Sequence, residues 1–213
     1  MMNQSSKGAS PEFWDKAAVK YSKRPISDEA SYRKKLKKSQ SYFRPDMKLL
    51  EFGCGTGGTA IIHAPHVKHI RAIDVSPRMI EIAENHAATA NVHNIDFEVQ
   101  TIEDIDASGE SFDAILGLSI MHLVQDKEAV LHKVFGLLKP GGVFISSTVC
   151  MGDMASLFRY VIPLMQFFGR APVVAYFARA ELLQSIKSAG FEIDYDWRPG
   201  KSATVFIVAK KPA

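Results

Sequence analysis

Leu49-Leu50-Glu51-Phe52-Gly53-Cys54-Gly55-Thr56-Gly57-Gly58 is the stretch on which the fold turns. A short apolar run ends in closely spaced glycines, and a helical pattern follows. Glycine permits a tight turn after a strand, and its missing Cβ lets backbone approach a ligand. Asp74 closes the next apolar run, where a carboxylate can accept hydrogen bonds from a pair of ribose hydroxyls. Both features fall at the carboxyl ends of strands, where ligands bind in open α/β sheets. Gly53, Gly55 and Gly58 also satisfy GxGxxG spacing, so this stretch alone does not separate a dinucleotide site from another nucleotide site.

Outward from this turn, strand and helix patterns alternate. Strand-like runs cover residues 48–52, 67–75, 95–101, 112–118 and 143–149, with helical patterns at 59–63, 76–91 and 127–138. Ser76 is placed to cap the helix at 76–91, Pro77 sits in its first turn, and Met79, Ile80, Ala83 and Ala87 make one face. The run 143–149 is continuously apolar or small, which suits a parallel sheet covered on both sides. A helix at 179–189 leads to two strands, 191–197 and 204–209, around Pro199-Gly200-Lys201-Ser202, a hairpin pattern. Upstream, 12–43 reads as helical, with Ser27 as an N-cap before Asp28 and Glu29. The expected fold is α/β: a doubly wound, Rossmann-like, mostly parallel seven-stranded sheet with a C-terminal antiparallel hairpin. Its parts are an N-terminal helical segment (1–44), a core (45–150), a helical cap insertion (151–178), and a final helix and hairpin (179–213), all in one domain.

The 213 residues carry a net charge of +3, with 46% hydrophobic and 23% charged residues, which is ordinary for a globular domain and too mild to argue for nucleic acid. Two cysteines far apart, Cys54 and Cys150, form no disulfide or CxxC pattern, and the polar first ten residues lack an apolar signal core. A reducing, cytoplasmic setting is expected. The most apolar stretch, 157–178, is broken by Arg159, Pro163, Gly169, Arg170 and Pro172, so no transmembrane segment is expected.

The ordered motifs resemble those of class I S-adenosylmethionine-dependent methyltransferases of the small-molecule type, a group that includes ubiquinone-biosynthesis C-methyltransferases. Glu51-Phe52-Gly53-Cys54-Gly55-Thr56-Gly57 is similar to the family's first motif, and Asp74-Val75-Ser76-Pro77-Arg78-Met79 to its acidic second motif. Ile102-Glu103-Asp104 stands where the family places adenine contacts. Phe112 through His122 resembles the fourth-strand motif, and Leu137-Leu138-Lys139-Pro140-Gly141-Gly142 the turn before strand five. The resemblance implies S-adenosylmethionine as cofactor. Gly53, Gly55 and Gly57 would face its methionine part and Glu51 its ammonium. Asp74 would hold the ribose, Val75 and Ile102 would sandwich the adenine with Met79 beside them, and Glu103 or Asp104 would take its amine. Leu118 and Ser119 would form the floor beneath the sulfonium.

Methyl transfer requires alignment and water exclusion, and a base only where the acceptor carries a proton. His122, after strand four, is the candidate base; holding the loop through a backbone hydrogen bond is its competing role. His63, His66 and His69 are spaced by three, but Pro65 interrupts them and no carboxylate completes a set, so no metal is expected. The basic run 33–38 reads as a solvated helix face. The aromatics and methionines of 151–178, Phe167 and Phe168 among them, read as an apolar cap over a small-molecule acceptor, and leave room for a homodimer interface. An RNA or protein acceptor is the second reading, although Leu118-Ser119-Ile120-Met121 lacks the Asn/Asp-Pro-Pro-aromatic element often used there. A nicotinamide-dependent oxidoreductase is the third, without an obvious Tyr-x-x-x-Lys pair.

Overall fold

The structure is a computed structural model that describes residues 11–106, 111–154, 161, 165–166, 171–200 and 202–213. The first strand, β1 (Lys48–Phe52), enters the middle of a seven-stranded sheet. The chain then winds outward through α3 (Gly58–His63), β2 (His69–Asp74), α4 (Pro77–Thr89) and β3 (Ile95–Val99). It returns to the other side of β1 with β4 (Phe112–Leu118), α5 (Lys127–Leu137) and β5 (Leu138–Val149). After α6 (Arg179–Ser188), β6 (Glu192–Trp197) forms the edge and β7 (Thr204–Lys210) inserts between β5 and β6. The order is β3-β2-β1-β4-β5-β7-β6, with β7 antiparallel to both neighbours and the other pairs parallel. The winding direction reverses between β1 and β4, which opens a crevice at their carboxyl ends.

Period-two alternation buries both faces of the central strands. Leu50, Phe52, Ile115, Phe144 and Ile207 pack with Leu131 and Val134 of α5 and with Leu182 and Ile186 of α6. Leu49, Leu116, Ile145, Phe206 and Val208 pack on the other side with Ala60 of α3 and with Tyr42 and Phe43. This two-sided burial explains the near-continuous apolar runs. Ser76 caps α4 by accepting the Met79 N–H at 3.1 Å, and the buried face of α4 is the expected Met79, Ile80, Ala83 and Ala87.

Three local expectations are corrected. The single N-terminal helical stretch is two helices, α1 (Pro11–Ser22) and α2 (Glu29–Gln40). Pro25 between them disfavours helical backbone at Arg24. The N-cap of α2 is Asp28, not Ser27, because the Asp28 carboxylate accepts the Ser31 N–H at 2.9 Å. Strand β5 starts at Leu138 rather than residue 143: Phe112 pairs with Leu138 and Ala114 with Val143, so Lys139–Gly142 form a bulge.

The basic run on α2 is not a plain solvated face. The Lys34 ammonium lies 4.1 Å from the centre of the Trp197 ring, and that of Lys38 lies 4.5 Å from Tyr195, so these stems pack on the edge strand through cation–π contacts. Of the expected cap, residues 151–154 form a 3₁₀ turn followed by a bend, and 171–178 run without regular structure. Phe167 and Phe168 lie outside the described residues. Among the described residues no helix is long and apolar enough to cross a membrane.

Candidate active site

The turn after β1 is pinned to β2. The Cys54 N–H donates to the Ile73 carbonyl at 3.0 Å, and the Gly55 N–H to the Asp74 carboxylate at 2.9 Å. The second Asp74 oxygen accepts the Ser76 N–H at 3.0 Å. Gly53 and Gly55 adopt φ values of +65° and +54°, which side-chain-bearing residues rarely adopt. Burial raises the Asp74 carboxyl above its ordinary value, while the amides of Ser76 and Gly55 oppose the shift.

A cavity of about 400 Å³ opens beside this turn, between the carboxyl ends of β1, β2 and β4. That is within the size range of small-molecule sites, roughly 300–1,000 Å³. Gly53, Gly55, Asp74, Val75, Met79, Ile102, Glu103, Asp104, Leu118 and Ser119 all stand on its wall. Asp104 is also occupied locally: its carboxylate accepts the Thr101 hydroxyl at 2.6 Å. Ser119 takes a positive φ of +59°, uncommon for serine, and its N–H donates to the Ser147 carbonyl at 2.6 Å.

Three expected residues lie off that wall. Gly57 begins α3 with φ +75°, and a Cβ there would come within 2.9 Å of the Ala83 Cβ and 3.0 Å of the Phe97 ring. Its place is against α4 and β3. Glu51 is buried behind the turn, with Oε2 lacking a hydrogen bond among the described residues, and burial pushes its carboxyl up to about 8. His122 lies in the turn between the wall residues Ser119 and Leu123. Its Nδ1 is buried without a partner among the described residues, and burial pushes the imidazole down to about 4. Its backbone carbonyl, not its ring, ties the loop by accepting the Ala175 N–H at 2.8 Å.

The sequence reading missed the roof. Trp14 and Tyr21 of α1 line the cavity, with their rings edge to face at 6.2 Å. Asp15 anchors this helix by accepting the Ser76 hydroxyl and, at 3.1 Å, the Arg78 N–H. The i, i+4, i+7 spacing of Trp14, Ala18 and Tyr21 was a visible stripe, and Ala18 is buried. The sequence did not show that the stripe covers a cavity.

These residues fit a nucleoside-bearing methyl donor. Asp74 offers a ribose acceptor, Val75 and Ile102 an apolar slot, and Glu51 a buried carboxyl, protonated in the empty site, that a nearby cation would ionise. At Gly55 the nearest atom to an added Cβ is the Tyr21 ring at 3.7 Å, so backbone faces open space there. Among the described residues no three His, Cys, Asp or Glu side chains are grouped so as to hold a metal ion. His69 instead pairs with Asp96 at 3.0 Å, and His63 stacks edge to face on Phe43.

Comparison with known proteins agrees with this geometry. A ubiquinone biosynthesis O-methyltransferase of Xanthomonas campestris pv. campestris is 33% identical over 106 residues, 49% of this chain and 44% of that protein. The chain thus spans less than half the length of that relative, whose name specifies oxygen rather than carbon as the methylated atom. An S-adenosylmethionine-dependent methyltransferase from Methanosarcina mazei superposes with a TM-score of 0.66 at 21% identity, covering 82% of this chain and 96% of that one. The [4+2]-cyclase SpnF superposes with a TM-score of 0.72 at 18% identity, covering 89% and 84%. A cyclase among the neighbours means that the fold alone does not settle the reaction. The family profile described as a methyltransferase domain matches residues 43–192, and this chain therefore belongs to the methyltransferase-domain family.

Proposed function

We propose that the chain is an S-adenosylmethionine-dependent methyltransferase whose acceptor is a small, partly apolar organic molecule. The observation that carries this reading is the cavity on which the Gly53–Gly55 turn, Asp74, the Val75/Ile102 slot and Ser119 converge, with the buried Glu51 carboxyl behind it. S-adenosylmethionine supplies a methyl group on a positive sulfur, so the chain need only bind, align and exclude water. Asp74 accepts from the ribose, Glu51 balances the ammonium, and Ser119 and Leu118 set the floor. Trp14 and Tyr21 close the roof.

The remaining apolar wall, Ile120, Leu123 and Val124, favours an organic acceptor over a charged polymer. The engagement of Lys34 and Lys38 with aromatic rings supports the same choice, since these cations are used in packing rather than offered to phosphates. Burial keeps the His122 ring neutral and able to accept a proton while weakening it as a base, and we assign it to acceptors that lose a proton on methylation. The expected cytoplasmic setting is supported by two free, buried thiols, Cys54 and Cys150. Calorimetric titration with S-adenosylhomocysteine tests the cofactor assignment. Saturable binding of that ligand but not of a nicotinamide dinucleotide is expected; the reverse overturns the proposal.

A further inference from the structure

We propose that Lys35 is an anion-recognition point in the acceptor site, selecting acceptors that carry a carboxylate on an apolar body; this rests on the methyltransferase reading above. Lys35 reaches inward from α2, and its ammonium donates to the Ser147 hydroxyl at 2.9 Å. Ser147 is 2% exposed. Lys35 forms no ion pair among the described residues, unlike Arg33, which pairs with Glu29 at 2.8 Å. Among the described residues this partly buried ammonium has one hydrogen-bond partner, a neutral hydroxyl, and no carboxylate within ion-pair distance, so it keeps donors in reserve. Burial lowers its pKa, opposed by the more distant Asp28 carboxylate at the start of α2.

The location decides what the charge faces. Ser147 pairs with Leu118 across the parallel β4–β5 ladder, so both side chains project to one face at the carboxyl ends of their strands. Neighbouring strands are about 4.8 Å apart, and Leu118 lines the cavity, while Ser147 and Lys35 stand off its wall. The ammonium therefore stands one strand from the floor of the site, on the side away from the glycine turn. The donor's amino-acid end belongs at that turn, with Glu51 on β1, two strand spacings or roughly 10 Å from β5. A cation at this distance from Glu51 is placed for a second molecule. Apolar Ile120, Leu123 and Val124 supply the surface for that molecule's body.

Fluorobenzoate and fluorobenzamide, which share shape and differ in charge, are suitable probes. Their binding to the full chain saturated with S-adenosylhomocysteine is read by fluorine NMR. The wild type should bind the carboxylate at least about tenfold more tightly than the amide, the scale of a hydrogen bond to a charged group. Lys35→Met should abolish that preference and Lys35→Arg should retain it. Ser147→Ala should weaken it, with thermal unfolding confirming that each variant is folded. S-adenosylhomocysteine affinity should stay the same throughout. Equal binding of the two probes by the wild type, binding of neither, or a preference surviving Lys35→Met overturns the proposal. Loss of S-adenosylhomocysteine affinity in Lys35→Met also overturns it, by giving the ammonium to the donor's own carboxylate. Failure of the wild type to bind S-adenosylhomocysteine instead removes the reading on which the proposal stands.

Discussion

Asp74 both pins the glycine turn and stands on the cavity wall, and the effects of the two placements separate experimentally. Its oxygens satisfy the Gly55 and Ser76 amides, so Asp74→Ala should cost about 1–3 kcal/mol of folding stability for the amides it orphans. In a denaturant titration this loss should appear without ligand, and S-adenosylhomocysteine affinity should fall by a further 1–3 kcal/mol or so. Glu51 makes stability depend on pH. Its carboxyl lies near 8 in the folded chain against an ordinary 4.5, so the native state keeps a proton that the unfolded chain releases. That contribution is complete below about pH 4.5 and is lost as pH rises through about 8. Across that window the melting temperature of the ligand-free wild type should fall relative to that of Glu51→Gln, a difference that removes the opposite contributions of the buried His63 and His122. His122→Ala should lower turnover of a proton-bearing acceptor by about 10²–10⁴ while leaving S-adenosylhomocysteine affinity unchanged; equal loss of both would make it a structural residue. At this scale the sequence was readable where a side chain's place is tied to a strand end, as with Asp74 on the cavity wall. It was not readable among three similar glycines. Only the backbone shows that Gly53 and Gly55 border the cavity while Gly57 packs on Ala83 and Phe97.

Among the elements, α1 forms the roof of the cavity. It joins the rest of the chain through Asp15 on the start of α4 and carries Trp14 and Tyr21 over the site. Asp15→Ala should loosen this roof, raising the dissociation rate of S-adenosylhomocysteine several-fold in stopped-flow measurements with a smaller change in association rate. An unchanged dissociation rate would show that α1 does not retain the ligand. The elements with strong periodicity and caps, such as α4, were legible almost to the residue. The break between α1 and α2 was signalled by Pro25 but outweighed by the apolar spacing on either side. The bulge at Lys139–Gly142 carries turn residues, and only the pairing of Leu138 with Phe112 makes it part of a strand.

At the scale of the whole molecule, the two cores share one sheet, and a ligand bound at the β1–β4 crevice touches both winding directions. S-adenosylhomocysteine at a hundredfold excess over its Kd should add about 2.7 kcal/mol to stability. For a domain of this length that corresponds to a rise in melting temperature of very roughly 5–10 °C. A nicotinamide dinucleotide should leave the transition where it was. The mostly parallel sheet and its antiparallel hairpin were readable from the alternation of patterns. That β7 lies inside the sheet and β6 at the edge was not, because a hairpin can dock by either strand and the choice rests on Phe206 and Val208 fitting against Ile145.

The position of β7 has a consequence for synthesis. Residues 204–210 are made after the other six described strands of this sheet, yet they form the layer between β5 and β6. Until they leave the ribosome, β5 presents an open apolar edge and β6 has no neighbour to pair with. The nascent chain therefore passes through a stage with an unprotected strand edge, the condition that favours misassociation between chains and engagement by chaperones.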